Sequence, residues 1–249
     1  MDKTDFRLLS ALYDGQIRFL DHYIEELFKN LRDLRIFDNT IIIITSDHGE
    51  NLGENNKMAH VFSVDDRLLH VPLIIRYPQK IPAGKTVAKN VQLTQIFPTI
   101  LDIIGLDWDE RNSIQSESLL QEGTANEAAS SFAVAELDIY YEGIQQIIYY
   151  NRNCFVDKYA RSYKTIRDQS YKYIISSDGA EELFDINNDH LETKNLIGQF
   201  PDKTDKLRKK LNELFNSFVV PELKVIETEK TIKIDEKTLQ GLRQLGYIQ

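Results

Sequence analysis

Four consecutive isoleucines, Ile41 to Ile44, run directly into the polar sequence Ser46-Asp47-His48-Gly49-Glu50. β-branched residues on both faces of a strand are typical of the interior of a parallel sheet that helices cover on both sides. An aspartate and a histidine at the end of such a strand contribute nothing to the packing of an apolar core. In α/β sheets, ligands collect beyond the carboxyl ends of the strands. The sequence therefore predicts a core strand over 40–45 with functional residues at its carboxyl end.

The elements around this strand alternate between helix and strand. Apolar residues at three- and four-residue steps predict an amphipathic helix over 6–34. A second apolar strand is predicted over 71–76, and a helix over 93–106 with Thr94 as its N-cap and Gly105 as its stop. This order is typical of an α/β layer.

The second half of the chain shows a different pattern. Short β-rich runs separated by turn residues predict an antiparallel meander, and the turn Asp178-Gly179 predicts a hairpin. An amphipathic helix over 203–218 would cover one face of this sheet, and a last helix is predicted over 235–245. We place the change near 107–131 and expect two units, 1–125 and 126–249. The strand runs are FAVAEL, SYKTIRD, YKYIIS and EELFDI.

Composition excludes several classes of protein. A formal net charge of -9 argues against a nucleic-acid partner and against a polybasic membrane surface. The single cysteine, Cys154, cannot form an intrachain disulfide. No apolar run approaches the roughly 20 residues of a spanning helix, and the first residues do not form a signal peptide. We therefore expect no membrane span in this chain, and the composition leaves its compartment unknown.

Asp47 and His48 offer a hard carboxylate oxygen and an imidazole nitrogen side by side. Gly49 allows the backbone to turn tightly beside a bound ion. Two adjacent ligands form half a site, and a plain strand-ending turn with a surface carboxylate is the alternative. Gly53-Glu54 and a second histidine, His60, follow within a few residues and favour a site.

An ordered series of matches along nearly the whole chain resembles the C-terminal half of the sulfatase family, in the alkaline phosphatase superfamily. The resemblance implies an alkaline-phosphatase-like sandwich of a mostly parallel sheet between helices, present in part. A small antiparallel subdomain with a covering helix follows it. The matching segments are LYDGQIRFLDHYIEELFKNL, NTIIIITSDHGENLGE, His60, HVPLIIRYP, QLTQIFPTILDIIGL, YKTIRDQSYKYIISSDGAEELFDINNDHLETKNL and LQGLRQLGYIQ.

The resemblance also implies roles for individual residues. Asp47 and His48 would be metal ligands of one divalent cation, usually Ca²⁺ in sulfatases, although His48 suits Mn²⁺ or Zn²⁺ as well. His60 would contact the sulfate or the leaving-group oxygen, and Lys57 is an alternative contact to the anion. The implied substrate is a sulfated small molecule or carbohydrate, cleaved by a sulfuric ester hydrolase.

Two parts of the family pattern are absent. The nucleophile motif, Cys or Ser followed by x-Pro-x-Arg and converted to formylglycine, does not occur, and Cys154 has neither the proline nor the arginine. The adjacent aspartates that complete the metal site are also missing, since Asp65-Asp66 follows the D-H-G and indicates a loop or helix start. We therefore expect a chain that lacks the nucleophile-bearing N-terminal half. Alone it would be inactive, with an exposed apolar helix face and an unfilled sheet edge.

Two other functions stay open at this point. One is a metal-dependent phosphodiesterase or a phosphoethanolamine or phosphoglycerol transferase, since these relatives share the D-H-G-E strand end. The other is a non-catalytic remnant that keeps the fold. The DNA upstream of the Met1 codon decides among the three, and we favour the sulfatase interpretation.

Overall fold

The computed structural model describes residues 3–106, 116–120, 132–150, 156 and 159–218. They all belong to one compact unit, Met1–Phe218. Cys154 and the helix predicted over 235–245 lie outside the described residues. The predicted boundary between 125 and 126 stays a prediction.

The first element is a long amphipathic helix, α1 (Lys3–Asp33), which confirms the helix predicted over 6–34. Charged residues alternate with its apolar ones, and within the described ranges no helix has the length and apolar content to cross a membrane. Much of its apolar face is uncovered, as the sequence predicted. Side chains between 53% and 61% exposed include Leu8, Leu12, Ile17, Leu20 and Leu27.

A 3₁₀ turn (Phe37–Asn39) leads into β1 (Ile42–Thr45), which is the predicted isoleucine strand. In the described part of the chain, β1 pairs with β4 (Leu73–Arg76), and the two strands run antiparallel with Ile44 opposite Ile74. The sequence predicted an interior strand of a parallel sheet. Isoleucines on both faces indicate that both faces need cover, but they carry no information on strand direction.

The loop between β1 and β4 holds a two-stranded hairpin and a short helix. The hairpin pairs β2 (Asn51–Leu52) with β3 (Met58–Ala59), and the helix is α2 (Asp66–Leu69). Asp65 occupies the N-cap position of α2, so the acidic pair lies at a helix start, which is one of the two alternatives that the sequence left open.

After β4, a 3₁₀ turn (Leu93–Gln95) continues into α3 (Ile96–Ile104). The predicted N-cap, Thr94, is wrong. The side chains of Gln92 and Gln95 form a reciprocal capping box instead, and the Thr94 hydroxyl bonds Ser116. Gly105 ends the helix in the left-handed conformation with φ 71°, as predicted.

The predicted antiparallel meander is confirmed as a four-stranded sheet in the order β5-β6-β7-β8. An unpredicted helix, α4 (Tyr141–Tyr150), lies between the first two strands, and α5 (Pro201–Ser217) covers one face of the sheet. Alternate strand residues face α5 and form a core with its leucines. The strands are β5 (Ala133–Leu137), β6 (Tyr163–Arg167), β7 (Tyr171–Ser176) and β8 (Glu181–Asp185), and the fully buried core comprises Ile166, Tyr173, Leu183, Leu207 and Leu211.

A buried lysine joins this sheet to the loop after β1. Lys172 lies on β7 with its side chain 1% exposed. Its Nζ donates to the Val64 carbonyl oxygen at 2.6 Å, to Asp66 Oδ1 at 2.9 Å and to Glu192 Oε1 at 2.6 Å. Arg167 of β6 forms a further ion pair with Asp66. The loop that begins at the D-H-G is therefore attached to the C-terminal sheet by charge as well as by packing.

Replacing Lys172 with methionine is expected to destabilise the protein strongly. The change leaves the buried Glu192 carboxylate without its ammonium partner and leaves Asp66 with Arg167 alone, and breaking a buried ion pair typically costs about 3–5 kcal/mol. Burial already raises the pKa of Glu192, against the effect of Lys172. Because a raised folded-state pKa favours the folded protein at low pH, the deficit should shrink as the pH falls through the raised pKa of Glu192 and should be smallest below about pH 4.3, the ordinary pKa of glutamate. Urea denaturation at pH 4 and pH 7 measures both effects.

Lys206→Met is the matched control, since Lys206 is exposed on α5. It should change the free energy of unfolding by no more than about 0.5 kcal/mol. A Lys172→Met loss that equals the control would show that the buried ion cluster does not hold the two regions together.

Candidate functional site

The backbone directly after β1 is fixed by its own polar groups. The Ser46 hydroxyl donates to the His48 carbonyl oxygen at 2.7 Å, and Asp47 Oδ1 accepts the His48 N–H at 2.9 Å. The Gly49 N–H donates to the Leu68 carbonyl oxygen at 2.9 Å. A Cβ atom at position 49 would collide with the Arg67 carbonyl oxygen. Glycine is needed here because the turn passes against the backbone of α2.

The Asp47 carboxylate faces solvent, with its side chain 86% exposed. Its pKa is lowered by the hydrogen bond from the His48 N–H and then by the charge of His48, so it is ionised at neutral pH. Its Oδ2 lies 3.7 Å from His48 Nε2. Ligands about 2.3–2.6 Å from one Ca²⁺ ion can lie this far apart, so the pair fits one coordination sphere. Asp47 and His48 can thus act together on one cation.

His60 lies directly against this pair. Its ring stacks on the His48 ring with a centroid distance of 4.1 Å and an interplanar angle of 23°. Its Nδ1 lies 3.1 Å from Glu50 Oε2. The β2–β3 hairpin creates this contact, because Asn51 and Ala59 are partners and their neighbours Glu50 and His60 are brought side by side. The structure therefore gathers three of the predicted features, Asp47, His48 and His60, at one point.

Lys57, the alternative anion contact, points elsewhere in this structure. Its Nζ donates to both carboxylate oxygens of Asp65 at 2.7 Å. The Asp65 side chain is 8% exposed, so the pair is largely shielded from solvent on the aspartate side. This ion pair fixes the loop between the hairpin and α2. The role of Lys57 as a substrate contact stays a prediction.

Two polar contacts near the candidate site were not predicted from the sequence. Glu50 is the carboxylate partner of His60, and Asp65 is the partner of Lys57. The signal for the first was available, because a tight hairpin after Glu50 would pair residues about ten positions apart. No comparable signal existed for Asp65, because a pairing eight residues apart across an irregular loop has no periodicity.

Two family models match the chain. The Sulfatase model matches residues 7–106, and the model described as N-sulphoglucosamine sulphohydrolase, C-terminal, matches residues 59–218. The second covers more than half of the chain, and together the two span almost all of the described residues.

Sequence relatives agree with these family models. Arylsulfatase K of Bos taurus is 31% identical over 219 residues, and arylsulfatase K of Homo sapiens is 29% identical over 223 residues. Each match includes 86% of this chain and 38% of the relative. The chain thus spans about 38% of the length of the curated relatives it matches.

Solved structures share the fold. The structure of BT4656 in complex with its substrate D-glucosamine-2-N,6-O-disulfate is 26% identical, with a TM-score of 0.67 over 81% of this chain and 39% of that chain. The phosphonate monoester hydrolase of Agrobacterium radiobacter is also 26% identical, with a TM-score of 0.69 over 86% of this chain and 42% of that chain. These similarities confirm the predicted mixed α/β fold class.

Gly49→Ala is expected to displace the D-H-G turn from α2. The added methyl group meets backbone rather than a flexible side chain, so the turn or the helix must shift. Overpacking of this kind costs about 1–3 kcal/mol. Thermal denaturation should show a melting temperature lower by several degrees. Gly198→Ala is the control, since a Cβ there has open space around it, and its melting temperature should be almost unchanged. Equal melting temperatures for the two variants would refute the close approach at Gly49.

Proposed function

Since this chain belongs to the sulfatase family, we propose that the complete protein hydrolyses sulfate esters and uses a divalent cation to do so. The observation that carries the proposal is the convergence of Asp47, His48 and His60 at the end of β1. The family matches cover the same residues. We retain the division into 1–125, as part of the α/β catalytic domain, and 126–249, as the small C-terminal subdomain, within this proposal.

Sulfatases generally bind a divalent cation, and we assign its ligands in this chain to Asp47 and His48, with Ca²⁺ as the first choice. When bound, the ion supplies a fixed positive charge opposite the sulfate oxygens. Asp47 contributes a carboxylate that is ionised and open to solvent, and His48 contributes Nε2. Its Nδ1 lies 2.8 Å from the Gly49 carbonyl oxygen, which can only accept, so the proton belongs on Nδ1 and Nε2 is free to ligate.

His60 is assigned the contact to the sulfate or to the leaving-group oxygen. Its Nδ1 is engaged by Glu50, so Nε2 is the nitrogen available to a substrate. The side chain is 49% exposed and stacks on His48, which places it beside the proposed cation ligands. The nucleophile, a formylglycine in this family, is expected outside this chain, because the chain lacks its motif.

A sulfated carbohydrate is the proposed substrate. Support comes from BT4656, whose structure contains a glucosamine disulfate as its substrate. The phosphonate monoester hydrolase, equally similar in sequence, supports phosphoryl or phosphonate ester hydrolysis as the second candidate. A cation held by Asp47 and His48 can neutralise the charge of a sulfate, phosphate or phosphonate ester alike.

The apolar face of α1 is proposed to pack against the rest of the complete sulfatase. Five of its leucine and isoleucine side chains, named above, are more than half exposed, and the chain spans only about 38% of the length of its relatives. An uncovered stripe of this length exceeds the apolar patches that soluble monomers usually expose. The N-terminal half of the protein is therefore the proposed partner of this helix.

Asp47→Ala should abolish retention of the cation in the complete protein. The carboxylate supplies negative charge that no neighbouring residue replaces, so the rate should also fall by about 10³-fold or more. Elemental analysis of the purified protein measures bound metal. Asp202→Ala, at an exposed position in the first turn of α5, is the control and should retain the metal. An Asp47→Ala protein with stoichiometric metal and normal turnover would disprove the assignment.

His60→Ala should lower kcat on an aryl sulfate by about 10²-fold and change KM much less. The reason is that a contact to the leaving group or to the developing charge is made mainly in the transition state. His190→Ala serves as the control, since His190 is exposed on a turn of the C-terminal sheet. A His60→Ala effect within a factor of about two would indicate an ordinary loop histidine.

A further inference from the structure

His48, Glu50 and His60 form a cluster whose donor set differs from that of a calcium site. Each offers one ligand atom, and these atoms all lie within 4.8 Å of one another. Ca²⁺ takes mainly carboxylate, carbonyl and water oxygens, whereas imidazole nitrogens suit Zn²⁺ and its neighbours in the first transition row. Two imidazoles and one carboxylate are a known ligand set for zinc.

One distance within the cluster is already that of a zinc site. His60 Nδ1 and Glu50 Oε2 are 3.1 Å apart. Two ligands at about 2.0–2.1 Å from a tetrahedral ion lie about 3.3 Å from each other. In the neutral tautomer of His60 with its proton on Nε2, the Nδ1 lone pair and the Glu50 oxygen can therefore point at one ion.

His48 has the backbone hydrogen bond that usually orients a zinc-ligating histidine. Its Nδ1 lies 2.8 Å from the Gly49 carbonyl oxygen, so the proton is on Nδ1 and the Nε2 lone pair is free. Its side chain is 41% exposed and the His60 side chain 49% exposed, while Glu50 is more enclosed at 25%. An ion can reach the cluster from solvent, and the two rings can turn to close the remaining gap.

We propose that His48, Glu50 and His60 bind a transition-metal dication, Zn²⁺ in the first instance, in a second site that overlaps the Asp47–His48 cation site. The two sites share His48, whereas Asp47 belongs only to the cation site and Glu50 and His60 belong only to the zinc site. Zinc and the cation assigned to Asp47 therefore compete for His48. Bound zinc also occupies His60 and withdraws it from any substrate. The proposal rests on the cluster itself and holds whether or not the protein cleaves sulfate esters.

Titration of Zn²⁺ into the complete, metal-free protein, followed by calorimetry, tests the site. One equivalent should bind. Glu50→Gln and His60→Ala should each weaken zinc binding by at least about tenfold, because each removes a ligand. Asp47→Asn should leave zinc affinity within about threefold while it abolishes calcium binding. Circular dichroism checks that each variant is folded, and His60→Gln replaces His60→Ala if the latter is not.

His22→Ala is the control for ordinary surface histidines. His22 lies on α1 with its Nε2 3.7 Å from Glu26 Oε1, and among the described residues this pair is not part of a cluster of three metal-ligating side chains. Its loss should not change the zinc affinity. Zinc binding that survives Glu50→Gln and His60→Ala, or that disappears with His22→Ala, would overturn the proposal. Absence of any zinc binding would overturn it as well. If the complete protein cleaves sulfate esters but does not bind zinc, only the zinc site is refuted. If it binds zinc at this cluster but does not cleave sulfate esters, only the proposed function is refuted.

Discussion

The buried ammonium of Lys172 is the contact on which the rest of this structure depends. Its three N–H donors are all used, by the Val64 carbonyl oxygen, by Asp66 and by Glu192. Burying a lysine is costly unless its charge is paired and its protons are accepted. Here both conditions are met by groups from two other parts of the chain. The C-terminal sheet, the segment before α2 and the turn at Glu192 can therefore reach their full hydrogen bonding only when they are assembled together.

The same contacts extend from the sheet to the candidate site. Asp66 starts α2, and the backbone of α2 holds Gly49 through Leu68 and leaves no space for a side chain there. Arg67 on α2 pairs with Glu54 in the hairpin segment at 3.3 Å. The hairpin in turn sets Glu50 beside His60. The positions of the exposed Asp47, His48 and His60 side chains are thus fixed by a buried charge cluster behind them, which lets the site be open to solvent and still ordered.

Local chemistry decides which features could be predicted from the sequence. The isoleucine strand that ends at Asp47 and His48 could be predicted, because the apolar run and its abrupt end are patterns of residues adjacent in sequence. The apolar–polar alternation of the C-terminal strands is a pattern of the same kind. The antiparallel pairing of β1 with β4 could not be predicted, since apolar residues on both faces of a strand do not indicate whether its neighbour runs parallel or antiparallel. Threonine is a common N-cap residue, which is why the sequence favours Thr94. In the structure, the side chains of Gln92 and Gln95 each bond the backbone of the other residue instead. The partners of Lys172 lie 20 to 108 residues away, and no spacing rule connects them.

Comparison of sulfate with phosphorus esters as substrates addresses the proposed chemistry most directly. The complete protein, loaded with calcium, would be assayed on matched aryl esters of sulfate, phosphate and phosphonate, with the released anion identified in each case. A sulfatase should show a kcat/KM for the sulfate ester that exceeds the other two by more than about tenfold. A preference for the phosphate or phosphonate ester, or no turnover of any of the three by a folded and metal-loaded protein, would contradict the assignment of sulfate ester hydrolysis.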